Sequence, residues 1–511
     1  MTRDMLALCL CLPLSGWALP PVHPDRGEAA FQRAVLRASN DLRLLCFAAH
    51  PDDEDGAPLA YYGLTRGVHT FTALANYGEG GQNEIGGQLY GDLAVLRARE
   101  TRAAAELLGT QEVVCMNLED FGYSKTLAET LEKWGRERTL EQMIVVIRSL
   151  RPDVIITNHQ PGQGHGHHQA IAALLLPAVE GAANRQEYPE MKTRGLAAWK
   201  VSRVFVRRNL PWSTGQEDYD VKVPVGTWDA LRGATYLEIA AAALKEHKSQ
   251  GRWEMVDDVL PSATYTYFTQ IYPPGEQVTN DLFEGLTEGF APARGHYPLY
   301  DASAAITLEA FAPCNAPLSR AAAAMPRSRE ETGRLLAEAH NFLSGLPALS
   351  GLVPLERAQP SEETRLLERA VTRYLHERRE DVSAALWECA GLSAMLESDD
   401  AALVRRQPFT TRLTVTALGP ATLTDVTAAM LLPFQWPSQG LVAGVPEPLA
   451  PGESARFSFS NQVFSEAPVS TPLEELRRDL FPPRSPLKAT VTARAYGALF
   501  SRVVETPARC P

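Results

Sequence analysis

This chain lacks several features that define large classes of protein. After the N-terminal segment no run of about eighteen apolar residues occurs, so the sequence predicts no transmembrane span. The 49 Lys and Arg residues are outnumbered by 61 Asp and Glu residues, which gives a formal net charge of −12. Because no long basic stretch interrupts this acidic balance, nucleic acids and anionic membrane surfaces are not expected as main partners.

Motifs for nucleotide binding and for cysteine-held metal are also missing. The Gly-rich loop after the second predicted strand contains no Gly-x-Gly-x-x-Gly spacing, and no Walker motif follows it. No Cys-x-x-Cys pair is found among the seven cysteines. Cys46 and Cys115 lie in apolar, strand-like runs and are expected to be buried thiols. Cys314, Cys389 and Cys510 could include one disulfide in an oxidising compartment, but the sequence does not give the pairing.

The N-terminus has the composition of an export signal. Arg3 precedes the apolar run 6–12, and Gly16 and Ala18 supply small residues at the −3 and −1 positions of a cleavage site. This pattern predicts a signal peptide over residues 1–18, and hence a secreted or periplasmic, cell-envelope location. A short buried N-terminal helix is the alternative that the sequence leaves open.

At 511 residues the chain exceeds the size of one hydrophobic core, so two or three domains are expected. Over residues 40–275, apolar strand-like runs alternate with segments of helical periodicity, which predicts an α/β fold with a Rossmann-like parallel sheet and helices on both faces. Loops and amphipathic helices are expected over residues 276–400. Alternating apolar and polar residues predict a β-sandwich-like domain over 405–511. The predicted strands are 44–48, 71–76, 112–117, 154–158 and 201–206, and the predicted helices are about 56–66, 92–109, 126–150, 168–180 and 232–248.

Two polar segments follow strands of this predicted sheet. Residues 49–54, Ala-His-Pro-Asp-Asp-Glu, come after the first strand, and residues 164–168, Gly-His-Gly-His-His, come after the fourth. Because parallel sheets bind ligands outside the carboxyl ends of their strands, the two segments are expected to meet at one edge. The alternatives are that the first is a solvated turn and that the second is a polar loop with adventitious metal affinity. Of the eleven histidines, four fall within ten residues of one another: His159, His165, His167 and His168.

Three residues of these segments form a candidate metal site. A catalytic zinc ion needs about three nitrogen or oxygen ligands and one open position for water, and His50, Asp53 and His168 supply such a set. Asp52 is adjacent to a ligand, but neighbouring side chains diverge, so its carboxylate is free to act as general base on water activated by the zinc. A site of this kind is hydrolytic. Fe²⁺ or another divalent ion could occupy the same ligands.

These residues carry a resemblance to a known family. Over about residues 40–250 the chain resembles the PIG-L/LmbE zinc-dependent deacetylases, which act on N-acetylglucosaminyl conjugates and related amides. The resemblance implies the same three zinc ligands, with Asp52 as general base. It also implies that His165 steadies the oxyanion or protonates the leaving amine.

The second segment departs from the family pattern. Many members have Gly-His-Pro-Asp-His there, whereas this chain has Gly166 and His167 in place of the Pro and the Asp. The missing carboxylate would have tuned the neighbouring histidines, so the protonation of His165 stays open. His167 is expected either to support a metal ligand from behind or to be exposed.

The resemblance also implies substrate contacts outside the metal site. It favours sugar contacts by Glu79, Asn83 and Glu84 in the Gly-rich loop, for which a flexible surface loop is the alternative. Arg97, on the next predicted helix, either lines the same cleft or belongs to a solvated helical face. His247, near the end of a later helix, is either part of the rim of the site or a favourable partner of the helix dipole.

From these residues we expect a metal-dependent hydrolase that removes the acetyl group from an N-acetylated amino sugar or polysaccharide. The metal machinery does not itself recognise a sugar, so an amidase or deformylase that acts on a small non-sugar amide is an alternative. A non-catalytic module that binds metal or carbohydrate is a second alternative. In that module the carboxylate of Asp52 would have no chemical use.

Overall fold

A computed structural model of this chain describes residues 22–123, 125–192, 195–208, 218–251, 253, 264–275, 277–286, 312–346, 362–400, 403–432, 436–443, 447–466 and 487–506. The predicted signal peptide, residues 1–18, and Cys510 lie outside these ranges, so the export signal stays a prediction. Within the described ranges, no helix combines the length and the apolar character that crossing a membrane requires.

Strands and helices alternate through the first half of the chain, and a second set of strands follows near its end. The helices are α1 (Gly27–Ala38), α2 (Gly56–Arg66), α3 (Gly91–Leu108), α4 (Leu127–Trp134), α5 (Arg136–Leu150), α6 (Gly166–Ala183), α7 (Tyr236–Leu244), α8 (Asn315–Ala324), α9 (Arg329–Gly345) and α10 (Glu362–Ala390). The strands of the first half are β1 (Arg43–Ala48), β2 (His69–Leu74), β3 (Glu112–Cys115), β4 (Val154–Thr157), β5 (Arg203–Arg207), β6 (Val221–Val223), β7 (Trp228–Asp229), β8 (Ala234–Thr235) and β9 (Thr266–Tyr272).

The central sheet has seven strands in the order β3-β2-β1-β4-β5-β9-β6, and the first five of these pair in parallel. Side chains of β1 alternate between its two faces, as strand geometry requires. Leu45 and Phe47 join a hydrophobic cluster with residues of α5 and α6, whereas Leu44 and Cys46 join another with residues of α2 and α7. The predicted parallel sheet with helices on both faces is therefore confirmed for these five strands.

Parts of this region differ from the prediction. β9 pairs antiparallel with both β5 and β6, so the sheet is mixed at that end. Partly buried side chains alternate with buried ones along most of β9, a pattern typical of an antiparallel strand rather than of a doubly buried parallel one. The single helix predicted over 126–150 is two helices, because Gly135 takes a left-handed backbone conformation with φ of 77° between them.

Two antiparallel sheets form the C-terminal part of the described chain. One has the order β10-β11-β14-β13 and the other β12-β15-β16. β10 contacts β15 and β16, and β12 contacts β14, so the sheets lie against each other as a sandwich requires. β10 falls inside the segment predicted as loops and helices, because Gly391, with φ of 68°, ends α10 and the chain turns back as a strand. The strands are β10 (Leu392–Ser398), β11 (Pro408–Ala417), β12 (Thr424–Leu431), β13 (Ser438–Ala443), β14 (Ser454–Gln462), β15 (Lys488–Ala495) and β16 (Ala498–Glu505).

The described cysteines are buried free thiols. Cys46 and Cys115 lie in β1 and β3, as the apolar runs around them predicted. Cys314 and Cys389 are also free, so the disulfide that the sequence allowed does not join these two residues.

The long helix α10 attaches to the central sheet at the end opposite the two polar segments. Glu377 accepts hydrogen bonds from Arg43, at the start of β1, at 2.6 Å and from Arg151, after α5, at 2.7 Å. Burial alone would raise the pKa of Glu377, but the charges of Arg43 and Arg151 outweigh burial and lower that pKa below its ordinary value. The ionised pair contributes stability above a pH of about 4.3, and this contribution is lost as the pH falls further.

We expect Glu377→Ala to lower the free energy of unfolding by about 3 kcal/mol, because it leaves two buried guanidinium groups without their shared carboxylate. Urea unfolding at pH 7 followed by circular dichroism measures this loss. Glu380→Ala is the matched control, since Glu380 is exposed on the same helix and its removal should change stability by no more than about 0.5 kcal/mol. Equal effects of the two substitutions would contradict the assignment of Glu377 as the anchor of α10.

Candidate metal centre

The two polar segments meet because β1 and β4 are neighbours in the sheet. His50 and Asp53 follow the last residue of β1, and His168 lies in the first turn of α6, after the loop that follows β4. The imidazole rings of His50 and His168 are 5.5 Å apart between centroids. The two polar segments therefore meet at one edge of the sheet, as the sequence predicted.

Three atoms converge at this edge of the sheet. Asp53 Oδ2 lies 3.0 Å from His50 Nδ1 and 3.2 Å from His168 Nε2, and the three ligand atoms all lie within 4.8 Å of one another. Two ligand atoms of a tetrahedral zinc ion, each about 2.0–2.1 Å from the metal, are about 3.3 Å apart. One carboxylate between two imidazoles at these separations fits a divalent metal ion with nitrogen and oxygen ligands.

The carboxylate of Asp53 is held in its ionised form. The backbone N–H of His50 donates to Asp53 Oδ2 at 2.9 Å. Burial would raise the pKa of Asp53, but the charge and hydrogen bond of His168 and the hydrogen bond of His50 lower it well below its ordinary value. An ionised carboxylate is the form that binds a metal.

Buried polar groups brace the ligand residues from behind. His159 Nε2 accepts the backbone N–H of Ala49 at 2.9 Å, and its ring stacks on that of His168 with 4.2 Å between centroids. Asn158 Nδ2 donates to the backbone carbonyl of Asp53 at 2.9 Å. Burial lowers the pKa of His159 to about 3, so this ring is neutral and serves as an acceptor. The sequence showed the histidine cluster but not this division of roles within it.

Asp52 lies beside the triad in an unusual backbone conformation. Its φ of 83° is in the left-handed region, which Asp tolerates better than most residues, and its backbone N–H donates to Glu54 Oε2 at 2.9 Å. Burial and the negative charge of Asp53 raise the pKa of Asp52 well above its ordinary value.

His247 is placed in the interior, not at the rim where the sequence allowed it. Its ring is fully buried, and its Nε2 lies 2.8 Å from Glu54 Oε1. Burial alone would lower the pKa of His247, but the Glu54 carboxylate raises it above the ordinary value. His247 therefore supports Glu54, which in turn holds the backbone of Asp52, and it does not present a surface to a substrate.

Arg97 is also buried and fastens the Gly-rich loop. Its guanidinium donates to the carbonyl oxygens of Gly78 and Gln82 and to Ser249 Oγ. Glu100, one turn further along α3, accepts from the backbone and the hydroxyl of Ser249 at 2.9 and 2.7 Å. The interpretation as a solvated helical face is wrong, because α3 packs these charges against the segment after α7.

The three loop residues predicted to contact sugar differ in exposure. Glu79 is partly buried and its Oε2 accepts the backbone N–H of Tyr77 at 2.9 Å, so it shapes the loop. Asn83 donates to the carbonyl of Gln88 at 3.1 Å, and Glu84 is exposed. Of the three, Glu84 has the side chain most available to a ligand.

His165 caps the helix that carries His168. Its Nδ1 accepts the backbone N–H of His167 at 3.4 Å, and its ring lies 4.1 Å from that of His168 and 5.0 Å from that of His50. Burial and the neighbouring histidines lower the pKa of His165 to about 4. In the neutral ring the proton is therefore on Nε2. Tyr123, with 76% of its surface exposed, lies 5.4 Å from His165 and marks the solvent side of the site.

Residues 45–179 match the PIG-L family, described as GlcNAc-PI de-N-acetylase. This range contains every residue of the candidate metal centre, from His50 to His168. The chain therefore carries a PIG-L domain, and the resemblance inferred from the sequence is confirmed.

Named relatives match this part of the chain. A 1D-myo-inositol 2-acetamido-2-deoxy-alpha-D-glucopyranoside deacetylase of Catenulispora acidiphila is 27% identical over 280 residues, which cover 44% of this chain and 79% of that protein. A mycothiol S-conjugate amidase of Streptomyces coelicolor is 30% identical over 169 residues, which cover 30% of this chain and 56% of the amidase, little more than half its length. Among solved structures, an N,N'-diacetylchitobiose deacetylase from Pyrococcus horikoshii matches with a TM-score of 0.35 and 19% identity, covering 45% of this chain and 83% of that one.

Proposed function

We propose that this protein is a zinc-dependent N-deacetylase that hydrolyses the acetamido group of an N-acetylated amino sugar. The observation that carries the proposal is the convergence of His50 Nδ1, Asp53 Oδ2 and His168 Nε2 beside a fourth group, Asp52, which is not part of the triad. The PIG-L domain and the Catenulispora relative, a deacetylase of a 2-acetamido sugar by its name, support the choice of reaction and substrate class.

The residues present divide the work of amide hydrolysis among them. His50, Asp53 and His168 would hold the metal. Zinc in such a site supplies Lewis acidity at the amide carbonyl and lowers the pKa of water towards neutrality. Asp52, outside the ligand set and half-buried, accepts the proton of the attacking water and returns it to the nitrogen of the leaving amine as the C–N bond breaks.

His165 is suited to the developing negative charge on the amide oxygen. Because its Nδ1 accepts a backbone N–H, its own proton is on Nε2 and is available for donation. A neutral imidazole N–H that donates to an oxyanion lowers the barrier without a change in net charge at the site. The low pKa of the ring favours this role over protonation of the leaving amine.

The second candidate is hydrolysis of a small non-sugar amide by the same machinery, and the relative from Streptomyces, an amidase by its name, supports amide hydrolysis in this wider sense. Assay of carboxylate release separates the two. We expect kcat/KM for an N-acetylglucosamine conjugate to exceed that for acetamide or formamide by about 10²-fold or more, because the two small amides lack the sugar whose binding energy a site for amino sugars uses. Comparable values for all three substrates would favour the amidase. Protein carrying Asp52→Asn, purified in parallel, corrects for contaminating hydrolases.

The signal peptide predicted at residues 1–18 supports a location outside the cytoplasm as part of this proposal. N-terminal sequencing of the protein recovered after export would test it. An intact N-terminus beginning at Met1 would contradict this location.

A further inference from the structure

His167 occupies the position at which many PIG-L/LmbE proteins have an aspartate, and it is 0% exposed. Its ring is held between two aromatic side chains. It stacks on Trp134 with 4.6 Å between centroids and 28° between planes, and it meets Phe121 edge to face at 4.7 Å. Of the two roles that the sequence left open for His167, exposure is therefore wrong, and the side chain lies behind the ligand residue His50.

The two ring nitrogens of His50 face different partners. Nδ1 lies 3.0 Å from Asp53 Oδ2, on the side of the candidate metal triad, and Nε2 lies 2.9 Å from His167 Nδ1. A neutral imidazole carries one N–H, so a His50 that offers the lone pair of Nδ1 to a metal must carry its proton on Nε2. His167 Nδ1 lies where the acceptor for that proton has to be.

We propose that His167 is a positioning residue, whose Nδ1 accepts the Nε2–H of His50 and so presents Nδ1 of His50 to the metal. The inference rests on the proposed function, since it needs a metal at His50, Asp53 and His168. Metal-binding histidines commonly donate their second N–H to a carboxylate or a carbonyl oxygen, which fixes the tautomer and orients the ring. Here an uncharged imidazole replaces the carboxylate.

The geometry argues against His167 as a metal ligand in its own right. Ligand atoms of His50, His165 and His167 also lie within 4.8 Å of one another, so an all-histidine triad has to be considered. That triad has no anionic ligand, and the 2.9 Å between His50 Nε2 and His167 Nδ1 is the length of a hydrogen bond between the two rings. The ionised carboxylate of Asp53 lies on the opposite side of the His50 ring. The electrostatic attraction on a cation is strongest on that side.

The acceptor role of His167 Nδ1 also fixes where the other ring nitrogen, Nε2, carries its proton. With Nδ1 as acceptor, the proton of the neutral ring is on Nε2, which is buried and has no hydrogen-bond partner among the described residues. The ring is thus fixed by its one bond to His50 and by packing on Trp134 and Phe121. A neutral acceptor also polarises the His50 ring less than an aspartate would. His50 is therefore a weaker metal ligand than it would be beside a carboxylate.

Substitutions at 167 separate the hydrogen bond from the packing. His167→Asn keeps an acceptor near the position of Nδ1 and loses the ring, whereas His167→Phe keeps a ring against Trp134 and loses the acceptor. His167→Asp supplies an anionic acceptor. Zinc dissociation constants are measured by competition with a chromophoric chelator, with folding checked by circular dichroism. ¹⁵N spectra of the histidine side chains of the zinc-loaded protein report which nitrogen of His50 carries the proton.

We expect His167→Phe to weaken zinc binding by about 10- to 100-fold, His167→Asn to lie closer to the wild type, and His167→Asp to bind zinc more tightly than the wild type. The ¹⁵N spectrum of the wild type should show the His50 proton on Nε2. A purely packing role predicts the reverse order of the Phe and Asn variants and would overturn the inference. If the Phe variant does not fold, the order Asp, wild type, Asn still decides, because only an acceptor role makes Asp the tightest.

Two other outcomes have distinct meanings. Loss of zinc from all three variants, with zinc retained after Asp53→Ala, would place the metal in the all-histidine triad and overturn the positioning role alone. Failure of the wild-type protein to bind zinc or another divalent ion would instead overturn the proposed function on which this inference depends.

Discussion

Asp52→Asn lowers kcat for amide hydrolysis by about 10²- to 10⁴-fold while the protein keeps its metal, if Asp52 is the general base. The substitution removes the basic oxygen and preserves the shape of the side chain. Asn tolerates the left-handed backbone of this residue, with φ of 83°, so the turn that aligns His50 and Asp53 is kept. The loss should appear in kcat rather than in metal content, because Asp52 lies outside the ligand triad.

Steady-state kinetics on an N-acetylglucosamine conjugate, with metal content measured on the same samples, checks this result. Asp425→Asn is the matched control: it makes the same chemical change at an exposed residue whose φ of 52° is also left-handed, in the C-terminal sheets. We expect its kcat to equal that of the wild type. An unchanged kcat in Asp52→Asn would favour the non-catalytic binding module, for which this carboxylate has no use.

The position of the site could be predicted from the sequence because it depends on a general property of parallel sheets. His50 follows one strand and His168 follows another at a distance of over a hundred residues, and polar loops at the carboxyl ends of adjacent strands meet. The pairing of β1 with β4 was the one step that the sequence left open. Strand order depends on how the helices cover both faces, which local patterns do not encode.

The buried charges around the site could not be assigned from the sequence. Arg97 and Glu100 lie on a helix with the spacing of a solvated face, yet both contact Ser249, about 150 residues away. The same holds for His247, whose partner Glu54 is 193 residues distant. A charged residue on a helix indicates exposure unless a remote segment covers it, and only the folded chain shows which segment does so.

Glycines mark two of the places where the structure departs from the predicted elements. Gly135 and Gly391 take left-handed conformations at the points where a predicted helix breaks or ends early. A glycine in a helical pattern is a weak signal, because many are tolerated within helices. The sequence left the role of His167 open between support of a metal ligand and exposure, because its burial by Trp134 and its hydrogen bond to His50 both depend on other elements.

Asp53→Ala is expected to lose metal and turnover together. Asp53 Oδ2 lies next to both His50 and His168, and it is the one anionic ligand of the triad. Without it two imidazoles remain, a weaker set than the three ligands of a catalytic zinc site. Loss of the Lewis acid costs several kcal/mol of transition-state stabilisation, so kcat at stoichiometric zinc should fall by about a thousandfold or more.

Excess metal separates this defect from that of Asp52→Asn. Zinc added to Asp53→Ala should restore part of the activity, because mass action refills a weakened site. The same addition to Asp52→Asn should restore none, since that protein already holds its metal. Wild-type protein stripped by a chelator and reloaded is the reference for full recovery. Stoichiometric metal in Asp53→Ala at the affinity of the wild type would show that the ion does not sit between His50, Asp53 and His168, and the division of roles between the two adjacent aspartates would then be wrong.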